Sequence, residues 1–126
     1  MVVNVKPIFI PELENLIVDT SIHPYLSLRK GVLEIEFGYI WDGATGVPAN
    51  KDNLRGSLYH DALYELMGLG LLSRLFRDTA DQVLRQVCIE DGMTEGWADT
   101  FYNFVHSFGA SHTLPDPDKY KIYTIE

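Results

Sequence analysis

In "VLEIEF", residues 32–37, Leu33, Ile35 and Phe37 alternate with Glu34 and Glu36. A period of two sends successive side chains to opposite faces, the pattern of a strand with one side buried. "NLIVDT" at 15–20 and "YLSLRK" at 25–30 are short β-branched or alternating runs that read the same way. Lys30-Gly31 falls between the second and third runs, where it predicts a two-residue hairpin turn. Pro7, Pro11 and Pro24 punctuate the segment. A small antiparallel sheet is expected, with "VLEIEFGYIW" as its third strand.

From Asp52 onward the period becomes helical. Leu54, Leu58, Ala62 and Leu66 recur every four residues, and Gly68 and Gly70 supply the stop. Ser73 is placed to cap a second helix whose apolar stripe is Phe76, Ala80, Val83, Leu84 and Val87, ending near Asp91-Gly92. Thr94 opens a third, in which Trp97, Phe101, Phe104, Val105 and Phe108 mark one face, expected as core, and Gly109 stands where a left-handed cap belongs. The tail "LPDPDKYKIYTIE" ends in the alternating run "YKIYTI", a candidate extra strand. The expected fold is α+β: a small N-terminal antiparallel sheet, then three helices. The short link "MGLGLLS" makes the first two an antiparallel hairpin. One domain over residues 1–126 is expected, β-rich over 1–50 and α-rich over 52–110, with a tail or strand at 114–126.

Composition narrows the function. Apolar residues make up 46% of the 126 and charged residues 22%, so a core forms without a metal or disulfide scaffold. The single cysteine, Cys88, forbids an internal disulfide and fits a reducing compartment or a fold that needs no staples. It reads as a small core residue without a role. No apolar run approaches the roughly 18 residues of a membrane span, and "MVVNVKPIFIPE" lacks the features of a signal peptide. A soluble chain is expected. The formal net charge of −8 repels nucleic acid and anionic headgroups. Arg74, Arg77 and Arg85 form either a local basic patch or a solvated helix face.

Candidate chemistry gathers in "SLYHDALYELM", residues 57–67. On a helix, Asp61 and Tyr64 are three apart and His60 and Tyr64 four apart, so both pairs meet on one surface. An antiparallel second helix brings Asp81 back level with His60. A carboxylate on one ring nitrogen fixes the imidazole tautomer and frees the other to accept a proton from water. In that arrangement His60 is the base and Asp81 its orienter. Asp61 points about 100° away, toward "GYIWDGATGVPANKDN". That loop of glycines, hydroxyls and Asp42 suits a hard cation such as calcium, with Asp61 and Asp42 as carboxylate ligands, and suits equally a tight turn joining sheet to helix. A metal phosphohydrolase needs further ligands, and His23 and His106 have no matching spacing; His106 reads as an exposed or rim residue off the aromatic stripe, and His112 as solvent-facing near the tail.

"FGYIWDGATGVP", "SLYHDALYELM" and "SRLFRDTADQVL", in that order over about residues 30–110, resemble a family of small uncharacterised phage and prophage proteins. Its marks are a Gly-Phe/Tyr-x-x-Asp-Gly-Ala-Ser/Thr segment, His-Asp-x-x-Tyr and Ala-Asp. The resemblance implies a phage or prophage gene, a location in the host cytoplasm or the virion, and other virion proteins as partners, and it names no reaction. "GVPANKDNLRGSLYHDALY" followed by "TADQVL" is more distantly similar in layout to calcium-dependent secreted phospholipases A-two. That likeness implies His60 as catalytic base, Asp61 as metal ligand, Asp81 as the acid orienting the base and Tyr64 as its support. "WDGATG" departs from that family's metal loop, and its helix-linking cysteines are missing. Two expectations follow. One is a phage accessory or virion-associated protein, structural or binding, whose His-Asp constellation is a buried polar network. The other is a metal-assisted ester hydrolase using His60 as general base.

Overall fold

The computed structural model describes residues 4–41 and 50–108. Asp42, Gly109, His112 and the expected strand at 114–126 lie outside them. The described chain is a small antiparallel sheet followed by three helices, as the pattern predicts: β1 Ile8–Phe9, β2 Leu26–Arg29, β3 Val32–Ile35, α1 Leu54–Gly68, α2 Arg77–Glu90 and α3 Glu95–Phe108. The sheet order is β1-β3-β2.

β2 and β3 pair in the register Leu28↔Leu33 and Arg29↔Val32, which leaves Lys30 and Gly31 as the two-residue turn, with φ of 51° and 79°. Positive φ at both positions gives the backbone twist that matches paired strands. On the other edge of β3, Ile8 and Phe9 face Leu33 and Val32, and the Ile10 amide donates to the Gly31 carbonyl at 2.7 Å. This edge corrects the expected first strand. "NLIVDT" has no ladder partner: Leu16 and Val18 turn inward against the core, while Ile17 is 98% exposed. A 3-10 turn at Pro11–Leu13, entered through proline, carries the chain off the sheet after β1 and buries Leu13. Phe37 also departs from the alternation. It stands in a turn closed by the Tyr39 amide on the Glu36 carbonyl, so it faces solvent while Tyr39 and Trp41 go inside.

A reciprocal set of side-chain bonds closes the turn that leads into α1. The Asn50 side chain accepts from the amides of Asp52 and Asn53 at 2.8 and 3.0 Å, and Asn53 accepts from the Asn50 amide at 3.0 Å. These bonds fix the turn at 51–53, and the Leu54 amide, the first of α1, donates to the Asn50 carbonyl at 3.0 Å. Just past α1 and α2, Gly70 and Gly92 take left-handed backbone, with φ of 76° and 111°. In each case the following amide reaches back to a carbonyl five residues earlier, Leu71 to Leu66 and Met93 to Cys88. Ser73 caps a short 3-10 turn before α2 by accepting from the Leu75 amide.

α1 is buried nearly all round, and its Leu58, Tyr59, Ala62, Leu63, Leu66 and Met67 share one core with Leu26, Leu28, Leu33 and Ile35 of the sheet. α2 runs antiparallel to it: Arg55 meets Asp91, Gly56 meets Leu84 and Cys88, and His60 meets Asp81. At Gly56 the backbones come so close that an added Cβ would stand 3.0 Å from both the Cys88 sulfur and the Leu84 carbonyl. α3 packs on α2 with a side the sequence pattern does not anticipate. Ala98 is buried, but Trp97 and Phe104 of the expected core stripe are 70% and 46% exposed. Among the described residues no helix is long and apolar enough to cross a membrane.

The close approach at Gly56 carries a prediction. Gly56→Ala removes a poor helix former, which alone would stabilise α1, but overpacking costs about 1–3 kcal/mol and wins. Urea unfolding is expected to show a lower midpoint with an unchanged slope; a raised midpoint would mean the two helices are not in tight contact there.

Candidate functional site

Asp81 lies at the second turn of α2, on the side facing α1, with no accessible surface. Its Oδ1 accepts from His60 Nε2 at 2.7 Å and from the Tyr64 hydroxyl at 2.6 Å, both on α1. Its Oδ2 accepts from His106 Nδ1 at 3.0 Å, on α3. The structure thus brings together His60, Tyr64 and Asp81 of the sequence reading and adds His106. The helical period dictates the α1 pair: residues 60 and 64 stack one above the other, with ring centroids 4.2 Å apart. A buried carboxylate is costly unless its lone pairs are met, and here three donors meet them.

The surroundings hold these donors in place. Arg77 donates to the His106 carbonyl at 2.6 Å, satisfying an orphan carbonyl in the last turn of α3. The Tyr102 ring stacks on His106 at 5.3 Å, and its hydroxyl donates to Asp78. Arg85 donates to Asp99 at 2.6 Å, so Arg77 and Arg85 are engaged with α3 instead of forming an open basic patch.

His60 is 7% exposed at its side chain, and its second nitrogen, Nδ1, lies 3.4 Å from Asp61 Oδ1. The other oxygen of Asp61 accepts the Trp41 indole N–H at 2.8 Å. Each ring nitrogen of His60 therefore faces a carboxylate. Burial opposes charge on the ring, but hydrogen bonds and charge from Asp61 and Asp81 outweigh it, so the His60 pKa is raised. Asp81 shows the converse. Burial pushes its carboxyl up, yet bonds from His60, Tyr64 and His106 hold it below the usual carboxylate range. Burial first, and then the neighbouring Asp81, push the Tyr64 hydroxyl up, which keeps it a neutral donor.

Asp61 is the one expected metal ligand within the described residues, because Asp42 lies outside them. Among the described residues no group of three or more His, Cys, Asp or Glu side chains is arranged to hold a metal ion. Cys88 is buried, and burial with nearby Asp91 and Asp52 pushes its thiol up to about 11, far from a reactive thiolate. His23 belongs to another cluster. Its Nδ1 accepts from the amides of Tyr25 and Leu26, its Nε2 meets Glu65 of α1, and Tyr39 donates to the same carboxylate at 2.9 Å.

His106 was legible in principle. On α3, Asp99, Tyr102 and His106 fall about 140–200° from Trp97, a second stripe of hydrogen-bonding residues opposite the aromatic one. No protein-family model matches the chain, and neither a curated protein nor a solved structure matches it.

The paired shifts predict a pH dependence with two limbs. A raised His60 pKa contributes stability that is whole below the ordinary value of 6.5 and lost as pH climbs through the folded value. A lowered Asp81 pKa contributes stability that is present above 3.8 and lost as pH falls through the folded value. The contribution of this pair is greatest between those values. Thermal melts across pH are expected to decline above 6.5 in the parent chain and to lose that decline in His60→Gln. An identical alkaline limb in both would assign it to other groups.

Proposed function

We propose that the chain is a non-catalytic binding or structural protein, of the phage accessory or virion-associated kind that its motifs resemble. In this reading the His-Asp constellation secures one packing of three helices. One observation carries it: Asp81 has no accessible surface and takes donors from both α1 and α3, while both nitrogens of His60 face carboxylates. A group whose lone pairs and protons are all spent inside the protein acts on its own fold. Other virion proteins are the proposed partners, and the host cytoplasm or the virion the proposed location.

A second reading, ester hydrolysis, has its own support. His60 Nε2 is held by Asp81, which Tyr64 also bonds, and this leaves Nδ1 as the sole position at which the neutral ring could take a proton from water. Its weak contact with Asp61 at 3.4 Å would have to open, and the raised pKa works against a free base at neutral pH.

The readings diverge under mutation. Removing one partner of a buried charged network costs about 3–5 kcal/mol, so Asp81→Ala is expected to unfold at markedly lower denaturant. Under the structural reading, cleavage of p-nitrophenyl esters and of phosphatidylcholine vesicles by the parent chain is no faster than by His60→Gln. Calcium at one hundred times a dissociation constant would raise stability by about 2.7 kcal/mol; no such shift is expected. Ester cleavage that depends on His60 and calcium, in a variant series that stays folded, would replace this reading by the hydrolase.

A further inference from the structure

α3 docks on α2 with its polar side. Asp99, Tyr102 and His106 make the hydrogen bonds to α2, while Trp97, Phe101 and Phe104 lie within about 60° of one another on the opposite side. That aromatic stripe forms one wall of a groove of about 570 Å³. The other wall is the entrance to α1, with Asn50 and Asp52, and Met93 and Thr94 of the α2–α3 turn close one end. None of these residues belongs to the Asp81 network.

Among the described residues Asp52 is the only charged side chain lining the groove. The Lys51 ammonium, on an exposed side chain, reaches Asp52 at 3.2 Å, so the site already accepts an alkylammonium. Asp91 and Glu95 flank in sequence the lining residues Gly92, Met93 and Thr94, and the ion pairs there are Arg55 with Glu90 and Asp91 and Arg85 with Glu95. The whole chain carries −8. A second copy of the same chain brings the same excess of acid and is repelled, and nucleic acid or an anionic bilayer is repelled likewise.

We propose that this groove binds a cationic amphipathic segment of a partner protein, which lays apolar side chains on Trp97, Phe101 and Phe104 and delivers a lysine or arginine to Asp52. Aromatic faces attract such cations as well as apolar groups, and an exposed tryptophan beside a carboxylate serves both halves of an amphipathic chain. Helix-in-groove recognition works through apolar anchors of this kind. Lys51 acts as a tethered competitor that the incoming cation displaces. The inference gives a partner chemistry to the binding reading above; because its residues are separate from the network, its failure leaves the network reading standing.

The test uses two synthetic helical peptides with identical leucine positions, one with lysine and one with glutamate on the polar face. Binding to the full chain is followed by Trp97 fluorescence, with the buried Trp41 as the background signal. The lysine peptide is expected to bind and the glutamate peptide not to bind. Trp97→Ala weakens the lysine peptide by at least about tenfold, read by titration calorimetry because that variant lacks the reporter. Asp52→Asn weakens it about threefold, and Lys51→Ala tightens it about twofold. Circular dichroism checks that each variant is folded. Equal binding of both peptides, no binding of either, or a lysine-peptide affinity untouched by Trp97→Ala would each overturn the proposal. So would reversible self-association, in sedimentation, that Trp97→Ala abolishes, since a second copy would then be the occupant.

Discussion

A carboxylate without water must be answered by the protein, and Asp81 imposes that requirement on three helices at once. Its position on the α1-facing side of α2 leaves no route to solvent, so His60, Tyr64 and His106 replace hydration with directed bonds. Each bond is short-ranged and angular, whereas apolar contact tolerates sliding. A one-turn slip of α1 along α2 would move both of its donors about 5.4 Å and strand the charge. The close contact at Gly56 lets the two backbones approach, and Asp81 decides where along their length they do so.

The same logic extends along α1. A helix buried nearly all round has no broad wet face to orient it, so its apolar residues alone specify rotation weakly. Its polar side chains supply what is missing, each meeting a different element. Arg55 takes Asp91 and Glu90 at the end of α2, Asp61 takes the Trp41 indole, and Glu65 takes Tyr39 and His23. Tyr59 reaches the Lys6 carbonyl at 2.6 Å, ahead of β1. At His23 the bonding fixes the tautomer. Nδ1 accepts two backbone amides and so carries no proton, which places the ring proton on Nε2, toward Glu65. Sheet and hairpin are thus joined by polar bonds around a continuous apolar core.

Features set by local chemistry were readable from the residues. The Lys30-Gly31 turn follows from two strand-like runs meeting there, and the His60 to Asp81 contact follows from helical period and a short link. Features settled by competition between distant segments were not. "NLIVDT" has strand-forming residues, but Ile8–Phe9 takes the free edge of β3, and a two-residue strand is too short to show any period. The bond from His106 to Asp81 is hidden in the sequence for a related reason. Hydrophobicity pointed to Trp97, Phe101 and Phe104 as the buried side of α3, whereas its docking side is chosen by hydrogen bonds to α2.

The choice of docking side on α3 links the buried network to the outer surface. His106 and Trp97 are nine residues apart, about 180° around the helix, so a rotation that satisfies Asp81 turns Trp97 away from α2. The bond from Arg77 to the His106 carbonyl and that from Tyr102 to Asp78 hold the same rotation. Rotating α3 to bury its aromatic stripe against α2 would gain roughly 25 cal/mol for each Å² of apolar surface covered. It would also remove the third donor from a fully buried carboxylate and release Arg77, Arg85 and Asp78 from their partners. Leaving a buried charge short of a donor costs more than a typical hydrogen bond contributes, and several bonds are lost together. The exposed aromatic face of α3 is therefore a consequence of the charge at Asp81, and the groove keeps its shape for as long as that carboxylate keeps its donors.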